Sequence, residues 1–174
     1  RWAVKQMEER QYQCEAAGVP NIADVDPDTP WITLYIDEAP GLWGDEAAYD
    51  LGDDGRDEAV TLTAKLAKRG RSARVTMIAT TQDPTLYGTF GKHKAGGSIR
   101  RNFNARMHFD ADTDSIRAAF DGLITRATLT HLEHPAKGRC GALGLNPADG
   151  TKAVAAQIWH ITPDLARPFA AAYQ

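Results

Sequence analysis

Cysteine is scarce in this chain of 174 residues: Cys14 and Cys140 stand alone, with no CxxC spacing. Neither a disulfide framework nor a cysteine-based zinc site is indicated, and two isolated thiols suit a reducing, cytoplasmic setting. The five histidines fall in no metal-ligand spacing. No apolar stretch approaches the roughly 18 residues of a membrane-spanning helix, and no signal-peptide pattern opens the chain, so nothing in these residues is expected to span a membrane. Also missing is any GxxxxGKS or GxxxxGKT stretch, the loop that cradles nucleotide phosphates. Lys94-Ala-Gly-Gly-Ser98 has neither the spacing nor the lysine placement to replace it. Internal repeats and low-complexity tracts are absent too.

What the chain does have is an apolar run that ends in paired carboxylates, Trp31-Ile-Thr-Leu-Tyr-Ile-Asp37-Glu38. A strand that carries acids to its carboxyl end places charge outside the strand tips, where open α/β sheets bind ligands. This is the layout of a Walker B element, in which the first acid holds Mg²⁺ and the second orients or deprotonates the attacking water. Asp37 takes the first part and Glu38 the second. A strand that merely ends in solvated acids is the competing reading.

With 43% hydrophobic residues, the chain has the size and content of one domain with one core. Val4, Met7, Gln11 and Cys14 recur at gaps of three and four, predicting an amphipathic helix over 1–17 closed by Gly18. A loop with three prolines, 19–30, leads into the acidic strand at 31–37. Residues 39–56, acidic and glycine-rich, read as an exposed insertion or mobile loop, and a helix follows over 57–69. Residues 74–80 form a second buried-type strand, ending in Thr80, Thr81 and Gln82. After a glycine-rich loop at 88–97, a short helix at 98–103 feeds a third strand at 105–109. Residues 114–120 read as helix. Two strands at 140–145 and 154–161 are expected to pair antiparallel across a turn at 147–150. The last helix spans 163–172, with Pro163 at its first position. Strands alternating with helices predict an α/β sheet with a parallel core. The chain opens at Arg1, without methionine and inside a helix, and is expected to be a fragment.

A net charge of −3 hides an asymmetry. Residues 24–58 carry twelve acids and one base, Arg56, whereas 65–106 carry ten bases and one acid, Asp83. The second stretch suits a polyanion. A right-handed crossover between the two strands brings their polar tips side by side. Asp37 and Thr81 are then expected to bind the cofactor, and Gln82 to hydrogen-bond a γ-phosphate or the lytic water. A loop amide satisfied locally is the alternative for Gln82. The cluster Lys68, Arg69, Arg71 and Arg74 reads either as a DNA or subunit contact or as a solvated helix end favoured by the helix dipole.

Taken in order, the acidic strand, Lys65-Leu-Ala-Lys-Arg-Gly-Arg-Ser-Ala-Arg74, Val75-Thr-Met-Ile-Ala-Thr-Thr-Gln-Asp-Pro84 and Ile99-Arg-Arg-Asn-Phe-Asn-Ala-Arg106 resemble the motor domain of the FtsK/SpoIIIE double-stranded DNA translocases. Arg1-Trp-Ala-Val-Lys-Gln-Met-Glu-Glu-Arg10 and Ala17-Gly-Val-Pro-Asn-Ile22 are similar to that family's segment between its phosphate-binding loop and its acidic strand. Gly138-Arg-Cys-Gly-Ala-Leu143 and the final strand and helix are similar to its carboxyl end, so the resemblance covers nearly the whole chain.

The resemblance implies a RecA-like P-loop NTPase core with a mostly parallel central sheet and a C-terminal antiparallel strand pair. Residues 1–174 would form its C-terminal part, with the Walker A segment upstream. It implies ATP and Mg²⁺ as cofactors and a homo-hexamer around double-stranded DNA. The location it implies is cytoplasmic, at the inner face of the cell membrane through segments not in this chain. By position, Asp37 matches the metal-holding acid, Glu38 the catalytic acid and Gln82 the polar sensor. Arg106 matches an arginine finger toward the neighbouring subunit's nucleotide. Arg100, with Arg101 beside it, matches a pore-loop base on the DNA backbone.

Departures from the family pattern are informative. Members commonly have arginine after the sensor glutamine; Asp83 stands there instead, removing one candidate phosphate contact. The insertion at 39–56 and the loop at 87–94 are more similar to relatives on actinobacterial conjugative elements. A phosphate cradle supplies several charge-assisted hydrogen bonds at about 1.5–3 kcal/mol each, so the isolated chain is expected to bind ATP poorly and to be inactive alone. Two other readings compete. One is a type VII-like protein secretion ATPase of the same superfamily, against which the basic excess at 65–106 argues. The other is a non-hydrolysing ring-assembly or docking module.

Overall fold

The computed structural model describes residues 1–103, 105–109, 113–120, 139–146 and 150–157, the last two stretches as backbone. Two compact units make up the chain, Arg1–Phe103 and Asn104–Gln174.

The first unit opens with helix α1 (Trp2–Ala17), which buries Ala3, Val4, Met7 and Cys14. It stops where expected. Gly18 adopts the left-handed conformation at φ 67°, its N–H bonds Glu15 O at 3.2 Å and the N–H of Val19 bonds Cys14 O at 3.0 Å, the glycine-terminated cap of many helices. A short helix α2 (Ile22–Val25) precedes strand β1 (Ile32–Ile36). Helices α3 (Pro40–Trp43) and α4 (Ala47–Arg69) and a 3-10 turn at Arg71–Ala73 lead to strand β2 (Val75–Ala79), and α5 (Leu86–Phe90) and α6 (Gly96–Asn102) follow.

β1 and β2 pair in parallel, with Ile32 opposite Val75 and Ile36 opposite Ala79. One face of this pair is packed. Ile32, Leu34 and Met77 lie against Val4, Met7, Leu66 and Val75, while Ile36 and Ala79 lie against Ala39, Trp43, Val60, Phe90 and Ile99. The other face is open: Tyr35 is 64% and Ile78 52% exposed. The two strands read from their sequence as buried are therefore covered on one side, whereas parallel sheets are ordinarily covered on both.

Residues 39–56 are not a loop. They form α3 and the first turns of α4. Trp43 is 1% exposed, and its ring stacks on Phe90 at 5.1 Å between centroids. One large aromatic decides the fold of this stretch, because burying it is favourable while the acids Asp45, Glu46, Asp50, Asp53 and Asp54 stay exposed to water. The glycine signal marks a kink instead: Gly52 sits at φ 69°, ψ 166° within α4. Arg56 gathers the acids of this region, lying 3.0 Å from Asp57, 3.4 Å from Asp45 and 3.5 Å from Asp53.

In the second unit, strands β3 (Ala105–His108), β4 (Arg139–Asn146) and β5 (Gly150–Gln157) form an antiparallel sheet in that order, and helix α7 spans Thr113–Phe120. Ala105 pairs with Gly144, and Arg139 with Gln157. The expected C-terminal antiparallel pair is present, its second strand starting four residues earlier than 154. The parallel arrangement covers two strands among the described residues; the third strand, at 105–108, pairs antiparallel with β4. A four-residue strand carries no pattern that separates the two modes, so its partner decides. Residues 147–149 of the expected turn and the final helix at 163–172 lie outside the described residues.

Candidate functional site

The register of β1 on β2 sets the site. Pairing Ile36 with Ala79 puts the next residues, Asp37 and Thr80, across from each other. The ladder continues past both strand ends: the N–H of Thr80 bonds Ile36 O at 2.9 Å, and the N–H of Ala39 bonds Thr80 O at 2.8 Å. The Thr80 hydroxyl donates to Asp37 Oδ1 at 2.7 Å and accepts the Glu38 N–H at 3.1 Å. Glu38 adopts φ 53°, a left-handed conformation uncommon outside glycine. Its Oε2 accepts a bond from Gln82 Nε2 at 3.0 Å.

Two side-chain pairs at the two strand tips, Thr80 with Asp37 and Gln82 with Glu38, are thus joined through the Glu38 backbone N–H on the Thr80 hydroxyl. Asp37 is exposed and Glu38 half-buried. A hydroxyl donates to the Asp37 carboxylate and a carboxamide to that of Glu38, both neutral. Carboxylate oxygens of this kind, at an open strand tip with neutral partners, suit hard divalent cations, although among the described residues no group of three or more acidic, histidine or cysteine side chains is placed to hold a metal ion.

The other expected site residues lie as follows. Thr81 is exposed, and its hydroxyl donates to Asp83 O at 2.9 Å and not to the acids. Asp83 is a turn residue: Oδ1 accepts the Thr85 N–H at 2.8 Å, and Thr85 in turn caps α5 through the Gly88 N–H at 2.9 Å. Arg100 is half-buried on α6, with Nη1 3.4 Å from Pro84 O; Arg101 on the same helix is exposed. Arg106 belongs to the second unit, where Nη1 donates to Ala119 O at 2.9 Å. Lys68, Arg69 and Arg71 are exposed around the end of α4. Arg74 instead donates to Pro27 O at 2.7 Å, with its guanidinium 6.0 Å from the centre of the Trp31 ring, so it holds the loop before β1.

The structure therefore brings Asp37, Glu38 and Gln82 together and adds Thr80, whose contact with the acids the sequence did not reveal. The signal that would have found it is register: in a parallel pair, the residue after Ala79 faces the residue after Ile36.

No protein-family profile matches the sequence, and no curated protein does. A solved structure does match. The pCW3 conjugation coupling protein TcpA, determined in its monomer form with ATPγS, is similar to this chain with a TM-score of 0.70 at 17% identity. The two share a fold. The likeness covers 99% of this chain and 47% of TcpA, so the chain spans about half the length of that protein.

Proposed function

We propose that this chain is the C-terminal part of a RecA-like, ATP-driven motor that moves double-stranded DNA in conjugative transfer or segregation. The observation that carries the reading is the hydrogen-bonded group Asp37, Thr80, Glu38 and Gln82 across the tips of two parallel strands. Support comes from the fold shared with a conjugation coupling protein that was solved with ATPγS. In this reading Asp37 holds Mg²⁺, Glu38 acts on the attacking water, and Gln82, bonded to Glu38, reports the γ-phosphate. Magnesium, when bound, neutralises charge on the phosphates. The cradle for those phosphates comes from a segment with a GxxxxGK loop, which these 174 residues do not contain.

Arg101 and the exposed cations Lys68, Arg69 and Arg71 supply charge for the DNA backbone. In this reading Arg100, which reaches from α6 to the Pro84 carbonyl two residues after Gln82, is a joint between the DNA side and the nucleotide side. Arg106 is assigned to a neighbouring subunit's nucleotide in a homo-hexamer, working at the cytoplasmic face of the membrane.

The test pairs this chain with its phosphate-binding segment and measures ATP hydrolysis with and without duplex DNA. Glu38→Gln is expected to lower kcat by about 10²–10⁴, the usual contribution of general acid–base catalysis, while ATP still binds. DNA affinity should fall steeply with salt, as phosphate contacts require. Hydrolysis that persists in Glu38→Gln would overturn the assignment, and stimulation by a secreted protein but not by DNA would move the substrate to polypeptide.

A further inference from the structure

We infer that Thr80 is a positioning residue for the acidic pair, its hydroxyl fixing the Asp37 carboxylate and, through the backbone, the direction of Glu38. The inference rests on the nucleotide reading above and deepens it. A threonine hydroxyl has one proton and two lone pairs. The proton is committed to Asp37 Oδ1 at 2.7 Å, the short distance typical of a hydroxyl on a carboxylate. A lone pair takes the Glu38 N–H at 3.1 Å.

The second bond matters because Glu38 is at φ 53°. Such a conformation persists in a non-glycine residue when its surroundings over-determine it. Three bonds do so here: the Thr80 hydroxyl on the Glu38 N–H, Thr80 O on the Ala39 N–H at 2.8 Å, and Glu38 O on the Gly41 N–H at 3.0 Å. Any residue at position 80 would supply the carbonyl. The hydroxyl is specific to threonine or serine. It ties one Asp37 oxygen and leaves the other for a cation, so the metal-holding acid and the water-directing acid are set by one group. Thr81, next in sequence, is excluded from this part because its own hydroxyl is spent on Asp83 O.

The experiment uses this chain together with its phosphate-binding segment, as wild type, Thr80→Val, Thr80→Ser, Asp37→Asn and the Asp37→Asn/Thr80→Val double variant. Valine keeps the β-branched shape and removes the hydroxyl; should it fold poorly by circular dichroism, Thr80→Ala reads the same loss. Two quantities are measured: Mn²⁺ affinity in the presence of ATP by electron paramagnetic resonance, and the Mg²⁺ concentration for half-maximal hydrolysis. Thr80→Val is expected to weaken Mn²⁺ binding and raise the Mg²⁺ requirement by about tenfold or more, the worth of a hydrogen bond to a charged group. Thr80→Ser is expected to restore both. In the Asp37→Asn background the valine substitution should change Mn²⁺ affinity by about twofold at most, because residues acting as a unit are non-additive. Wild-type metal dependence in Thr80→Val, or an undiminished loss in the Asp37→Asn background, would overturn the inference alone. A wild-type protein that neither binds Mn²⁺ with ATP nor hydrolyses ATP would overturn the nucleotide reading, and the part of Thr80 with it.

Discussion

Trp43→Ala is expected to destabilise the first unit, with a magnitude set by what the indole touches. The side chain is fully buried, stacked within 9° of parallel on Phe90 and 6.3 Å from the Phe103 ring. Its Nε1–H donates to Thr63 Oγ1 at 3.1 Å. Truncating a buried tryptophan costs about 3–5 kcal/mol. Within that, an aromatic pair accounts for about 0.5–1.5 kcal/mol and a neutral hydrogen bond for about 1 kcal/mol. Thr63 keeps its own bond to Ala59 O at 2.8 Å, so no stranded hydroxyl proton adds to the sum. Urea unfolding followed by circular dichroism reads the change: with a slope of about 2 kcal/mol per molar, the midpoint should fall by about 2 M. Trp43→Phe retains the stack and should lose about a third as much. Limited proteolysis gives a second readout, since residues 44–56 should resist cleavage in wild type and yield in Trp43→Ala. A midpoint that did not move, together with wild-type cleavage within 44–56, would restore the reading of this stretch as a loop. Ala39, the residue after Glu38, is buried in the same cluster, so under the proposed function the substitution should also lower nucleotide hydrolysis.

Gly70→Ala should destabilise by about 1–3 kcal/mol, the cost of overpacking, because a Cβ there would meet Val75 O at 2.4 Å and Leu66 O at 2.7 Å, both backbone. Urea unfolding checks it, and wild-type stability would mean that α4 and β2 lie farther apart at this turn. Glu58→Gln addresses pH. The bond from Arg1 Nε to Glu58 Oε1 at 2.7 Å, and then the Arg1 charge, hold the Glu58 carboxyl below its ordinary 4.5 despite an opposing contribution from burial. With the folded value depressed, the unfolded chain takes up the proton first as pH falls. The contribution is therefore complete above 4.5 and lost as pH drops through the folded value. Glu58→Gln should lower stability slightly above 4.5, the loss being small because the pair is exposed, and should converge on the wild type as pH falls through the folded value; a difference that did not shrink at acid pH would contradict this.

The strand tips were legible because the signal is local. Ile-Thr-Leu-Tyr-Ile before Asp37 and Val-Thr-Met-Ile-Ala before Thr80 announce strands, and a crossover of ordinary handedness makes them neighbours. α1 was legible for the same reason, its buried side given by spacing and its end by Gly18. Trp43 was not, because its partners Phe90, Val60 and Ile99 are remote in sequence while its neighbours are acids and glycines. Thr80 hid among three polar residues in a row, of which pairing register alone selects one. The antiparallel mode of β3 depends on a partner more than thirty residues away, about which Ala-Arg-Met-His says nothing. Asp83 read as a lost phosphate contact; in the structure it has a task of its own, closing the turn that starts α5.

That last substitution bears on how the site is held. An arginine after Gln82 would lack the short carboxylate that accepts the Thr85 N–H, and Gly88 leaves room for it, since a Cβ there would sit 1.9 Å from Asp83 Oδ2. Asp83 and Gly88 therefore form a pair, and with Thr89, whose hydroxyl bonds Asp83 O at 2.7 Å, they fasten the segment after Gln82 to the buried cluster through Phe90. The acids are fastened to the same cluster from the other side through Ala39 and Trp43. Glu38 and Gln82 meet where both strand extensions end on one apolar core, so the packing of Trp43 on Phe90 bears on the distance between them.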